Sequence, residues 1–92
     1  MKEYEKTLKA LANRRRLQII KYLKDKKQGT VTEIAGHIKL SFKSTSKHLA
    51  VSKHLAVLFS AGILDKEQKS LSMFYFVVEP LPKIAKHVFD II

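Results

Sequence analysis

The stretch "TVTEIAGHIKLSFKSTSKHLAVSKHLAVLFSAG", residues 30–62, decides the fold. Thr30 and Glu33 stand at capping-box spacing, where hydroxyl and carboxylate satisfy the first free N–H groups of a helix. Val31, Ile34, Ala35 and Ile38 then supply the buried side of a short helix closing near Leu40. Ser41 to Ser44 reads as a turn. From Ser44 to Ala61 no residue breaks a helix, and Gly62 stands where one should stop. Within this second helix the hexapeptide SKHLAV occurs twice in succession, at 46–51 and 52–57.

Upstream, Tyr4, Leu8 and Leu11 recur at helical spacing and predict an amphipathic helix over residues 2–12. Asn13 can cap the next helix, whose buried stripe is Leu17, Ile20 and Leu23, and Gly29 suits a left-handed cap after "KDKKQG". Downstream, "ILDKEQKSLSMFYFVVEP" is rich in β-branched and aromatic residues and predicts two short strands joined near Gln68 to Leu71. "LPKIAKHVFDII" closes the chain as a helix with Ile84, Val88 and Ile91 on one side. The expected order is α-α-α-α-β-β-α, mainly helical with a hairpin wing. A short helix, a turn, a second helix and a twisted hairpin make a winged helix-turn-helix, whose second helix lies in the DNA major groove.

Composition agrees with that expectation. Ninety-two residues suffice for one domain with a modest core, near the size at which a helical unit leans on a partner. Lys and Arg number 18 against 8 Asp and Glu, a formal +10 that attracts polyanions, nucleic acid above all. The excess lies in the first two thirds of the chain, residues 63–92 being balanced at four basic and four acidic. The absence of cysteine excludes disulfides, thiolate catalysis and thiolate metal sites. No apolar run approaches bilayer length, and "MKEYEKTLKALANRRRL" lacks the apolar core of a signal peptide, so the chain reads as soluble and cytoplasmic, with no membrane partner. No Gly-rich phosphate loop or nucleophile motif is present, and an enzyme is not expected.

"LKALANRRRLQIIKYL" (8–23), "TVTEIAGHIKLSFKSTSKHLAV" (30–51) and "FSAGILD" (59–65) together resemble the ArsR-type transcriptional repressors of bacteria and archaea. The resemblance runs from Leu8 to the final helix. It implies a homodimer built from residues 1–12 and 81–92, a helix-turn-helix over 31–61 and a wing over 63–78 reaching toward the DNA backbone. No cofactor is implied.

The repeat is where the chain departs from the family. With either copy removed the text becomes "KSTSKHLAVLFSAGILD", the usual length, and a six-residue tandem duplication accounts for the repeat better than chance. Six residues advance a helix by about 9 Å and turn it by roughly 600°, which leaves the copies about 120° out of phase. They cannot both present one face. In the register of the second copy, Val51, Leu55 and Leu58 form a continuous apolar stripe, and Val51 takes the place that Thr45 holds before the first copy. Leu49 and Ala50 then stand about where Lys43 and Ser44 would stand, at the groove-facing start, which predicts weakened DNA binding. The rival outcome keeps the first copy in place and loops the second out before Leu58, with broken helical hydrogen bonds.

Candidate DNA contacts are Lys43, Ser44, Thr45, Ser46, Lys47 and His48, short hydroxyls and cations at a helix start, with Ser52, Lys53 and His54 repeating the chemistry in the second register. Arg14, Arg15 and Arg16 open the second helix, where cations oppose the macrodipole and imply an anionic compensator. Lys69, with Lys66 near it, is a candidate phosphate contact at the wing. His87 and Asp90 are spaced H-x-x-D, too few for a closed zinc site, and no metal is expected. The double-stranded DNA reader has a rival from another class, an engineered or model winged helix, or an interaction module, in which the duplication abolishes DNA reading and can alter the oligomer; a metal-responsive repressor is a third possibility.

Overall fold

The computed structural model describes residues 2–38 and 44–92, with the backbone alone for Glu3, Ser44 and Thr45. Five helices and a hairpin follow in the expected order: α1 (Lys2–Leu11), α2 (Arg14–Lys26), α3 (Val31–His37), α4 (Ser44–Ser60), β1 (Leu64–Lys69), β2 (Ser72–Val77) and α5 (Lys83–Ile91). This is a winged helix-turn-helix.

Local chemistry sets the helix starts. The Asn13 side chain accepts from the N–H groups of Arg15 and Arg16, and Thr30 and Glu33 close a reciprocal capping box. α2 ends on Lys27, whose φ of 78° carries the left-handed turn while its N–H returns to the Leu23 carbonyl. Gly29 is therefore not the cap. It is buried two residues later, because its N–H and carbonyl bond Tyr75 of β2 at 3.0 and 2.8 Å. A Cβ there would lie 2.9 Å from Tyr22 Cε1, so glycine answers a close approach and not a left-handed turn. α3 stops at His37, earlier than the apolar spacing suggests, since Ile38 adopts extended backbone while remaining buried. Leu40, at which that spacing would close the helix, and the turn expected over 41–43 lie outside the described residues.

Ile19, Ile20 and Leu23 of α2 meet Ile34, Ala35 and Ile38 from α3 and its end, Val51, Leu55 and Leu58 of α4, and Ile63 and Leu64 at the wing base. Ala10, Leu11 and Ala85 extend this core under α1 and α5, which pack together. Gly62, at φ 74°, ends α4 as expected. β1 and β2 pair antiparallel from Leu64↔Val77 to Lys69↔Ser72, leaving Ser70 and Leu71 as the tip, with Ser70 at φ 56°.

Two apolar stripes differ from their expected role. On α1, Leu11 is buried, but Tyr4 and Leu8 are 55% and 52% exposed; on α5, Ile91 is 83% exposed while Ile84 and Val88 pack against the core. Periodicity reports that a helix has an apolar face without saying what covers it.

Candidate nucleic-acid interface

α4 is one unbroken rod of 17 residues in the register of the second copy. Val51, Leu55 and Leu58, all at 0% exposure, form its inner stripe. Ser46, Leu49, Lys53, Ala56 and Ser60, at three- and four-residue spacing on the opposite side, are exposed. Leu49 and Leu55 occupy equivalent places in the two hexapeptides, yet one faces out and the other in. That is the consequence of a rotation of about 120° between copies.

The histidines divide in the same way. His48, in the first copy, lies 3.2 Å through Nε2 from Thr32 Oγ1, which ties the start of α4 to α3. His54, in the second, turns the other way and is partly buried against α2, its Nδ1 3.2 Å from Arg16 Nη1. A guanidinium only donates, so Nδ1 accepts and the imidazole proton sits on Nε2. The same guanidinium donates to the carbonyls of Ala10 and Lys9, the latter at 3.0 Å. These are carbonyls at the C-terminal end of α1, where the helix dipole places partial negative charge, so neutral acceptors and not an anion offset the placement of Arg16 at the start of α2. Arg16 thus joins α1, α2 and α4.

Burial, then the nearby Arg16 and Arg15 cations, hold the His54 pKa below the usual 6.5. A base whose pKa is depressed on folding leaves the unfolded chain holding more protons between the two values, so stability is complete above about pH 6.5 and is lost as pH falls below it. His54→Gln keeps an acceptor near Arg16 without the titration. Urea unfolding at pH 7.5 and 5.5 should show a smaller acid loss in this variant than in the parent; equal losses would exclude His54 as the source.

Of the remaining candidates, Ser46 and Lys53 lie on the outward stripe, His48 is exposed toward α3, and Lys47 and Ser52 are partly buried on the flanks. Lys43 and the side chains of Ser44 and Thr45 lie outside the described residues. Arg14 is exposed, whereas Arg15 is partly buried and donates to Gln18 Oε1 at 3.2 Å. At the wing, Lys69 donates to Gln28 Oε1 at 2.9 Å and covers the Phe74 ring, while Lys66 sits 4.7 Å over Phe59. Lys66 is drawn toward α4 by the Phe59 ring and Lys69 toward the α2–α3 connection by Gln28, whereas Phe74 lies on β2 of the wing itself. Asp90 accepts from Lys86 at 2.9 Å, and among the described residues no three His, Asp or Glu side chains converge to hold a metal. No helix among them is long and apolar enough to cross a membrane.

Sequence reasoning missed Thr32, Gln28 and the Arg16–His54 pair, because each is a contact between elements distant in the chain. Only the unfavourable placement of Arg16 on its helix dipole signalled a partner.

The described surface offers a helix whose outward stripe carries two hydroxyls, a cation and the hydrocarbon of Leu49 and Ala56, flanked by a wing in which Lys66 and Lys69 are balanced by Asp65 and Glu67. The model of the bacterial regulatory protein, arsR family, matches residues 13–66. Among solved structures, HlyU from Vibrio cholerae N16961 is similar at 29% identity and a TM-score of 0.76, over 97% of this chain and 86% of that one. The transcriptional repressor PagR of Bacillus anthracis shares the fold at 24% identity and a TM-score of 0.77, over 99% and 94% of the two chains. So does the homodimeric winged helix-turn-helix DNA-binding domain of Mb0332 from Mycobacterium bovis, at 24% identity and a TM-score of 0.72, over 98% and 74%. A comparison with curated proteins finds none that matches.

Proposed function

We propose that this chain, which belongs to the arsR family of bacterial regulatory proteins, is a repressor-type, sequence-specific DNA-binding regulator that acts as a homodimer with α4 in the major groove. The family consists of non-enzymatic DNA-binding transcription regulators. The observation that carries the proposal is the register of α4. Burial of Val51, Leu55 and Leu58 turns Ser46, Leu49 and Lys53 away from the core together, on a helix without a single acidic residue. Such a face suits phosphates and base edges.

Homodimerisation is supported by Tyr4 and Leu8 on α1 and Ile91 on α5, large apolar side chains left exposed on two helices that pack together. A second copy would cover them. The repeated SKHLAV is best explained as a tandem duplication that lengthened the recognition helix by shifting the first copy outward. Repression would then follow from occupancy of an operator by two recognition helices.

Titration against duplex DNA at several salt concentrations tests the reading. Affinity should fall steeply and linearly on a log–log plot, by about 0.9 log unit per log unit of salt for each phosphate neutralised. Lys53→Ala should weaken binding by roughly tenfold with unchanged thermal stability. A flat salt dependence without sequence preference would favour the interaction-module reading instead.

A further inference from the structure

The outward stripe of α4 carries one side chain unlike its neighbours. Leu49 is 57% exposed and stands about one helical turn from both Ser46 and Lys53, on the side opposite the buried Val51 and Leu55. With α4 as the recognition helix, the reading on which this inference rests, the groove must accept a branched hydrocarbon at that place. We propose that Leu49 is a specificity-determining residue that reads the C5-methyl group of a pyrimidine in the major groove.

Base edges display donors, acceptors and one apolar feature, the methyl of thymine. Leucine can pair with none of the donors or acceptors, and it desolvates any that it covers, so opposite guanine, adenine or unmethylated cytosine its presence is costly. Against a methyl group both surfaces leave water at once. Ser46 and Lys53 lie about 10 Å apart along the helix axis, or about three base steps, and Leu49 falls between them. The methyl belongs to a step inside that short run. Thymine carries it, and so does 5-methylcytosine.

A second copy of the chain is the other possible cover for an exposed leucine, and the surroundings disfavour it. The nearest exposed large apolar side chains on α4 are Val57 and Phe59, about 12 to 15 Å further along, so among the described residues Leu49 is not part of a contiguous patch. α4 has no acidic residue and the chain carries a net +10, so two such faces repel each other and attract DNA.

The test selects duplexes from a pool with a randomised centre, using the unaltered chain and Leu49→Ser, whose exposed position spares the core. The unaltered chain should enrich thymine at one position per half-site, and Leu49→Ser should not. In the selected duplex, deoxyuridine in place of that thymine removes only the methyl and should weaken binding by about fourfold per half-site. A cytosine-to-5-methylcytosine exchange at that position should strengthen it by a similar factor if any C5-methyl is read; gain there assigns the site to methylated cytosine as well as thymine, and no gain restricts it to thymine. Equal affinity for thymine and deoxyuridine, alongside steep salt dependence, overturns the inference and leaves the DNA-binding reading intact. Absence of duplex binding at low salt overturns both. A smaller oligomer for Leu49→Ser in sedimentation, without any change in methyl dependence, assigns Leu49 to self-association and likewise overturns the inference.

Discussion

Leu55→Ala should lower the folding stability of this chain by about 2 to 5 kcal/mol, whereas Leu49→Ala should change it by no more than about 0.5 kcal/mol. The two leucines sit in identical hexapeptides, six residues apart, and have the same helix propensity and the same sequence neighbours on either side. Only burial separates them. Leu55 is wholly enclosed among the residues of the common core, so truncation loses its transfer free energy and leaves a cavity that α2 and α3 cannot fully close. Leu49 is already in water, and its truncation opens no cavity. Urea unfolding of both variants under one condition measures the difference. Similar losses from the two would mean that the copies share the interior.

Removal of residues 46–51 should tighten DNA binding by about tenfold while it lowers folding stability by about 1 to 3 kcal/mol. The shortened helix would place Thr45 where Val51 is now buried, and a hydroxyl at that position must be desolvated. It would also bring Lys43 and Ser44 to the places now held by Leu49 and Ala50. A cation and a hydroxyl bond phosphates and the donors and acceptors of base edges, whereas hydrocarbon can gain only from a pyrimidine methyl. The opposite signs distinguish this outcome from general disruption, in which both properties decline. Titration of both chains against one duplex at fixed salt, beside urea unfolding, measures the pair. Equal or weaker affinity in the shorter chain would contradict the account of what the repeat does.

Much of the fold was legible because it is written in local patterns. Asn13, the Thr30–Glu33 pair and Gly62 each answer a requirement at a helix end, and each does so in the structure. The α4 register was legible for a different reason: in an unbroken helix only one phase of the repeat continues into Leu58, and the structure takes that outcome, with Val51, Leu55 and Leu58 as the inner stripe, over the rival in which the second copy loops out. What escaped notice depends on elements meeting at a distance. Gly29 resembles a helix cap in isolation, and its true constraint is the Tyr22 ring beneath it and β2 beside it. Tyr4, Leu8 and Ile91 have the spacing of core residues although the chain alone does not cover them. His48 and His54 share the same local text and diverge because Thr32 waits on one side and Arg16 on the other. Identity of sequence fixed neither partner; the phase of the helix did.

The chain contains no cysteine, so a single thiol placed at position 49 or 55 reports on that position alone. Labelling of Leu49→Cys and Leu55→Cys with a thiol reagent under native conditions is the most direct measurement of which hexapeptide nests in the interior. Position 49 should react at close to the rate of an unstructured thiol, and position 55 at least about a hundredfold more slowly, limited by opening of the fold. Comparable rates, or faster reaction at 55, would contradict the assignment of the second copy to the core and of the first to the outward face.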